Sequence, residues 1–110
     1  MADDPLKHLQ LELARFARER NWQQYHTPQN LAALVSTEAG ELMALFRWGQ
    51  DAVNSAPDRV REELADVFLG VLRFADVAGV DLIVAARDKL AANAVKYPVD
   101  RTSGPDRPQE

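Results

Sequence analysis

Glu38 is the residue that most narrows what this chain can become. Leu31, Leu34, Val35, Leu42 and Leu45 recur at the three- and four-residue spacing of an amphipathic helix. At roughly 100° per residue, Glu38 falls in the middle of that stripe and Glu41 at its edge. A carboxylate facing an apolar core is costly unless it is paired or bound to metal. A second acidic pair, Glu63 and Asp66, borders the apolar stripe of a later segment with the same separation, and residues three apart on a helix share a face. If the two helices pack together, four carboxylates converge. A hard divalent cation, Mg²⁺ with Mn²⁺ as the alternative, is the natural ligand for such a set of oxygens. Spacing alone would be weak grounds in a chain with 17 acidic residues; what singles these four out is their place in or beside apolar stripes.

The segments around these pairs read as helices. Asp3 or Asp4 followed by Pro5 makes an N-cap with proline in the first turn, and Leu6, Leu9, Leu13, Phe16 and Ala17 then carry an apolar face to about Arg20. Residues 21–26 form a short connection containing Trp22, Tyr25 and His26, and Thr27-Pro28 starts the second helix by the same logic. Arg47 to Pro57, with Trp48 at its mouth, reads as a loop and a candidate flap. A third helix over about Pro57–Ala78 takes Val60, Leu64, Val67, Val71 and Phe74 as its core stripe, with Glu63, Asp66, Gly70 and Arg73 along one flank. Gly79 fits its C-terminus, and Asp81 caps a fourth helix that Pro98 stops. The expectation is an all-α, four-helix domain over residues 1–98, followed by a disordered tail over 99–110. Because the third helix is apolar nearly all round, a homo-oligomer, dimer or tetramer, is expected as well.

Composition removes other classes. A net charge of -4 provides no basic field for a nucleic-acid polymer or an anionic membrane, so any phosphate ligand must be met locally. Without cysteine the 110 residues can form no disulfide, thiolate metal site or cysteine nucleophile. No apolar run is long enough to span a bilayer, and the acidic start differs from a signal peptide; a cytoplasmic protein is the expectation. A di-iron bundle would need a Glu-x-x-His on two helices, and neither His8 nor His26 follows a glutamate at that spacing.

The remaining polar and aromatic residues admit a plain and a functional reading. Lys89, Asn93 and Lys96 line up on one row of the last helix, as an exposed polar face or as the phosphate side of a metal-bound polyphosphate site. Trp22, Tyr25 and Trp48 suit a core or interface, or a stack on a base. His26 is structural or a hydrogen-bonding partner of a ligand.

Four stretches in order carry a family likeness. Residues 22–31 (WQQYHTPQNL), Glu38-Ala39-Gly40-Glu41 with Trp48, Glu62-Glu63-Leu64-Ala65-Asp66, and residues 89–98 (KLAANAVKYP) resemble the MazG-like all-α nucleotide pyrophosphohydrolases, most closely the dCTP pyrophosphatase type. The resemblance covers about Phe16 to Pro98. It implies hydrolysis of a nucleoside triphosphate to the monophosphate and pyrophosphate, with Mg²⁺ held by Glu38, Glu41, Glu63 and Asp66. It also implies that Glu38 or Glu41 orients or deprotonates the water attacking the α-phosphorus. Lys89, Asn93, Lys96 and Tyr97 match phosphate-side positions, and Trp22, His26, Asn30 and Trp48 match nucleoside-side positions. Two departures, Leu13 in place of a histidine and Gly70 in place of a tyrosine near the sugar, bear on the nucleoside; the metal chemistry therefore transfers better than a preference for cytosine. The competing expectation is a non-catalytic helical oligomerisation or nucleotide-binding module.

Overall fold

The structure is a computed structural model and describes residues 3–99. Apart from Val99, the expected tail lies outside the described residues. Among the described residues there are helices and turns and no strand: α1 (Pro5–Glu19), a 3₁₀ turn (Gln23–Tyr25), α2 (Pro28–Ala44), α3 (Ala52–Ser55), α4 (Pro57–Ala78) and α5 (Leu82–Lys96). The chain forms two compact units, one ending at Val80 and holding α1 to α4, the other starting at Asp81 and holding α5.

Local chemistry accounts for the ends of these helices. Asp4 accepts a hydrogen bond from the Lys7 N–H at 3.0 Å and Pro5 fills the first turn of α1. Thr27 caps α2 through the Asn30 N–H at 3.2 Å, and Asp81 caps α5 through the Val84 N–H at 3.1 Å. Gly79 ends α4 in the left-handed conformation at φ 71°, and the Val80 N–H reaches back to the Ala75 carbonyl at 2.8 Å, the bond pattern that closes a helix on a glycine.

In the first unit α2 and α4 form the principal helix pair, with α1 laid against α4. A side-chain bond from Gln10 Nε2 to the Leu72 carbonyl at 3.2 Å joins α1 to α4. Leu31 on α2 and Leu72 on α4 are the largest fully buried side chains among the described residues.

Three expectations need correction. Leu64 does not lie in the core but is 56% exposed, and Leu34 is also exposed. The apolar stripe of α4 is wider than the face that meets α2, leaving Leu64, Phe68 and Val77 exposed; the face in contact is the flank holding Glu63 and Gly70, where the missing Cβ lets the helices close. The segment expected to be wholly loop between α2 and α4 contains the single turn α3, anchored by buried Ala52.

Candidate functional site

The α2–α4 pair runs antiparallel, and its register sets the site. Glu38 and Glu41 of α2 meet Glu63 of α4, Val35 meets Gly70, and His26, just before α2, meets Arg73. At each step α2 goes back along the chain as α4 goes forward.

Glu38, Glu41 and Glu63 each offer a carboxylate oxygen, and these atoms all lie within 4.8 Å of one another. Glu38 and Glu63 are half-buried and Glu41 is exposed. Oε2 of Glu38 and Oε2 of Glu63 are buried with no hydrogen-bond partner. The other oxygen of Glu63 lies 3.9 Å from Arg59, one helical turn away on α4. Asp66 is exposed and stands outside the group of three, though its charge still acts on both buried carboxylates.

Electrostatics follow from that geometry. Burial pushes the Glu38 carboxyl above the ordinary value of 4.5, and the hydrogen bond with Glu41 and the charges of Glu41, Asp66 and Glu63 push it further. Burial likewise raises Glu63, with the neighbouring Glu41 next and Arg59 opposing. Two orphaned buried oxygens and a third carboxylate, all repelling one another, are what a divalent cation would relieve. Hard oxygen donors fit Mg²⁺ or Mn²⁺, and the residues present therefore fit a metal.

Of the residues expected on the nucleoside side, Trp22, His26 and Asn30 come together ahead of and at the start of α2. Trp22 packs edge-on against Phe16 at 5.6 Å between ring centres and tilted against His26 at 6.4 Å. Asn30 Nδ2 donates to the Tyr25 carbonyl at 2.9 Å, which ties the 3₁₀ turn to α2. Trp48, 91% exposed, lies past the opposite end of α2, and that 17-residue helix is about 25 Å long, so one chain does not gather all four in one place.

On α5, Lys89, Asn93 and Lys96 fall at helical positions i, i+4 and i+7 and share a face, and the Lys96 ammonium lies 5.2 Å from the centre of the Tyr97 ring. Arg73 was expected only as a flank residue of α4. It bonds to His26: Nε donates to His26 Nδ1 at 2.9 Å, while Nη1 reaches Asp76 Oδ2 at 3.3 Å. The sequence signal was an arginine on the same flank as Glu63, one turn beyond Gly70, but nothing in the chain pointed to its partner.

No family model matches the chain. The fold is similar to the crystal structure of a pyrophosphatase from Archaeoglobus fulgidus DSM 4304, with a TM-score of 0.86 and 33% identity over 90% of this chain and 97% of that one. This fold, with a carboxylate cluster between α2 and α4, is that of an all-α pyrophosphatase. Among curated proteins, dCTP pyrophosphatase 1 of Rattus norvegicus is 37% identical over 83% of this chain, and that of Homo sapiens 38% over 77%. The chain belongs to the MazG-like all-α nucleotide pyrophosphohydrolase family, in its dCTP pyrophosphatase-like branch. It spans 58% and 54% of the length of those two curated relatives.

Proposed function

We propose that the chain is a Mg²⁺-dependent nucleoside triphosphate pyrophosphohydrolase, converting a (d)NTP and water to the monophosphate and pyrophosphate. The observation that carries this reading is the pair of buried, unpartnered oxygens on Glu38 and Glu63, with Glu41 beside them, in a fold of the pyrophosphatase family. The names of the curated relatives favour dCTP or a related or modified pyrimidine deoxynucleotide as substrate, and nucleotide-pool cleansing as the role.

Glu38, Glu41, Glu63 and, from its exposed position, Asp66 would hold the cation. A bound divalent ion supplies a clamp for phosphate oxygens and a lowered pKa for water. The residues of the chain do the rest. Glu38 or Glu41 orients the attacking water and accepts its proton, the work of a positioned carboxylate within reach of the water. Lys89, Asn93, Lys96 and Tyr97 bind the phosphates. Trp22, His26 and Asn30 face the nucleoside, and Trp48 joins them from a neighbouring subunit of the oligomer, since within one chain it lies past the far end of α2.

Residues 1–98 act as one domain in this reading, and the working unit is a homo-oligomer, dimer or tetramer. Support for assembly comes from α4, which leaves Leu64 and Phe68 56% and 43% exposed, while Met43 on α2 is 66% exposed. No helix of the described residues is long and apolar enough to cross a membrane.

A panel of canonical and modified (d)NTPs with Mg²⁺, scored separately for pyrophosphate and orthophosphate, tests the proposal. Pyrophosphate with a pyrimidine deoxynucleotide is the expected product. Orthophosphate as the primary product would move the attack to another phosphorus, and no Mg²⁺-dependent product from any nucleotide would leave a non-catalytic helical module.

A further inference from the structure

We propose that Arg73 is a positioning residue that presents His26 to the nucleoside as a fixed Nε2–H donor. The inference rests on the reading above that the nucleoside lies towards His26.

A guanidinium has donors and no acceptor, so the 2.9 Å bond from Arg73 Nε requires Nδ1 of His26 to be unprotonated. The ring proton then sits on Nε2. Which ring nitrogen carries the proton is set by the bond the other one makes. The arginine is itself held in place. Its Nη1 pairs with Asp76 at 3.3 Å, and its side chain is only 11% exposed. Trp22 confines the imidazole from another side, and Phe16 backs Trp22.

The charged groups facing the ring are Arg73 directly and Asp76 through it; Arg20 is further off, stacked 3.5 Å over Phe16. Burial of the imidazole and the positive charge of Arg73 both oppose its protonation. The histidine therefore offers one donor of known direction rather than two. Asn30 complements it, because its NH₂ is engaged by the Tyr25 carbonyl and its Oδ1 is left as the acceptor end. A neutral base edge, with an acceptor opposite His26 and an amino group opposite Asn30, is the ligand chemistry this pair matches.

The position is right for such a role. The ten residues from Glu63 to Arg73 span ~15 Å along α4, comparable with an extended nucleoside triphosphate whose phosphates lie at the carboxylates. Arg73 therefore acts at a distance from the metal, and its removal should weaken substrate binding and leave the chemical step alone.

The test uses the full chain, with ¹⁵N-histidine NMR for the tautomer and pKa of His26, and pyrophosphate release from dCTP with Mg²⁺ for KM and kcat. In the wild type the Nε2–H tautomer is expected. Arg73→Leu should give a mixed tautomer, a raised His26 pKa and a KM about three- to tenfold higher, the loss of one oriented hydrogen bond, with kcat unchanged. Arg73→Gln keeps an N–H for Nδ1 and should recover the tautomer and most of the KM. An Nδ1–H tautomer in the wild type overturns the proposal, as does an Arg73→Leu protein whose tautomer changes while its KM stays put. Should dCTP not be turned over at all, the pyrophosphohydrolase reading fails by itself. Calorimetric binding of dCTP with Mg²⁺ then carries the comparison, and affinity unchanged in Arg73→Leu, or absent in both, overturns the role of Arg73.

Discussion

A Cβ placed on Gly70 would lie 3.2 Å from Cγ2 of Val35 and 3.8 Å from its Cα. The glycine thus lets α4 come close to the α2 backbone at this point, and the approach has a chemical consequence. Glu38 lies one turn beyond Val35 and Glu63 two turns before Gly70, so the same approach brings a carboxylate oxygen of each within 4.8 Å of the other.

Gly70→Ala sets two effects against each other. Alanine gains about 1 kcal/mol over glycine in a helix interior, while Val35 must move by a few tenths of an ångström. A net change within about 1 kcal/mol is expected in urea denaturation. In a Val35→Ala background the same change should stabilise by nearly the full propensity. Gly70→Leu should cost about 1–3 kcal/mol and weaken metal binding as the helices part.

Glu41→Gln should reduce Mg²⁺-dependent pyrophosphate release by at least ~100-fold with the helical circular dichroism intact. Full turnover in that variant would remove Glu41 from the site. Glu38→Gln should raise the melting temperature of the metal-free protein, because it removes a buried charge among like charges, and should abolish the stabilisation that Mg²⁺ produces.

The metal-free protein should lose stability as pH rises. The Glu38 and Glu63 carboxyls titrate above the ordinary 4.5 when folded, so between that value and their raised ones the folded chain binds more protons than the unfolded chain. Stability is then greatest below the window and falls through it. Saturating Mg²⁺ should flatten the slope, which chemical denaturation at a series of pH values would reveal.

His26 acts in the opposite sense. Its folded value lies below the ordinary 6.5, through burial first and Arg73 second, so the unfolded chain binds the extra proton in the interval below 6.5. Stability should decline as pH falls through that interval. His26→Gln should remove this component while leaving the carboxylate component in place.

Trp48→Ala should change folding stability by less than about 0.5 kcal/mol, since the side chain is 91% exposed. If the residue reaches the nucleoside, KM for dCTP rises in the same variant. An unchanged KM would confine Trp48 to another use.

Much of the fold was legible because helix ends are local events. Asp4-Pro5, Thr27-Pro28, Gly79 and Asp81 mark boundaries through bonds to residues at most a few positions away. The acidic pairs were legible for a related reason: Glu38 interrupts an apolar stripe, which a solvated glutamate has no cause to do. Leu64 lies outside the contact because the apolar stripe of α4 is wider than the face its partner covers, and spacing within one helix does not say which edge of the stripe that face takes.

The sequence by itself determined the helices, their caps and the two acidic pairs, since each depends on neighbours within a turn or two. Only the tertiary structure decided that Glu38, Glu41 and Glu63 close to within 4.8 Å while Asp66 stays outside, and that Arg73 meets His26, 47 positions away. Those outcomes depend on the rotation and separation of two helices about their axes. The closeness of Gly70 to Val35 sets both, and no spacing within a single helix encodes them.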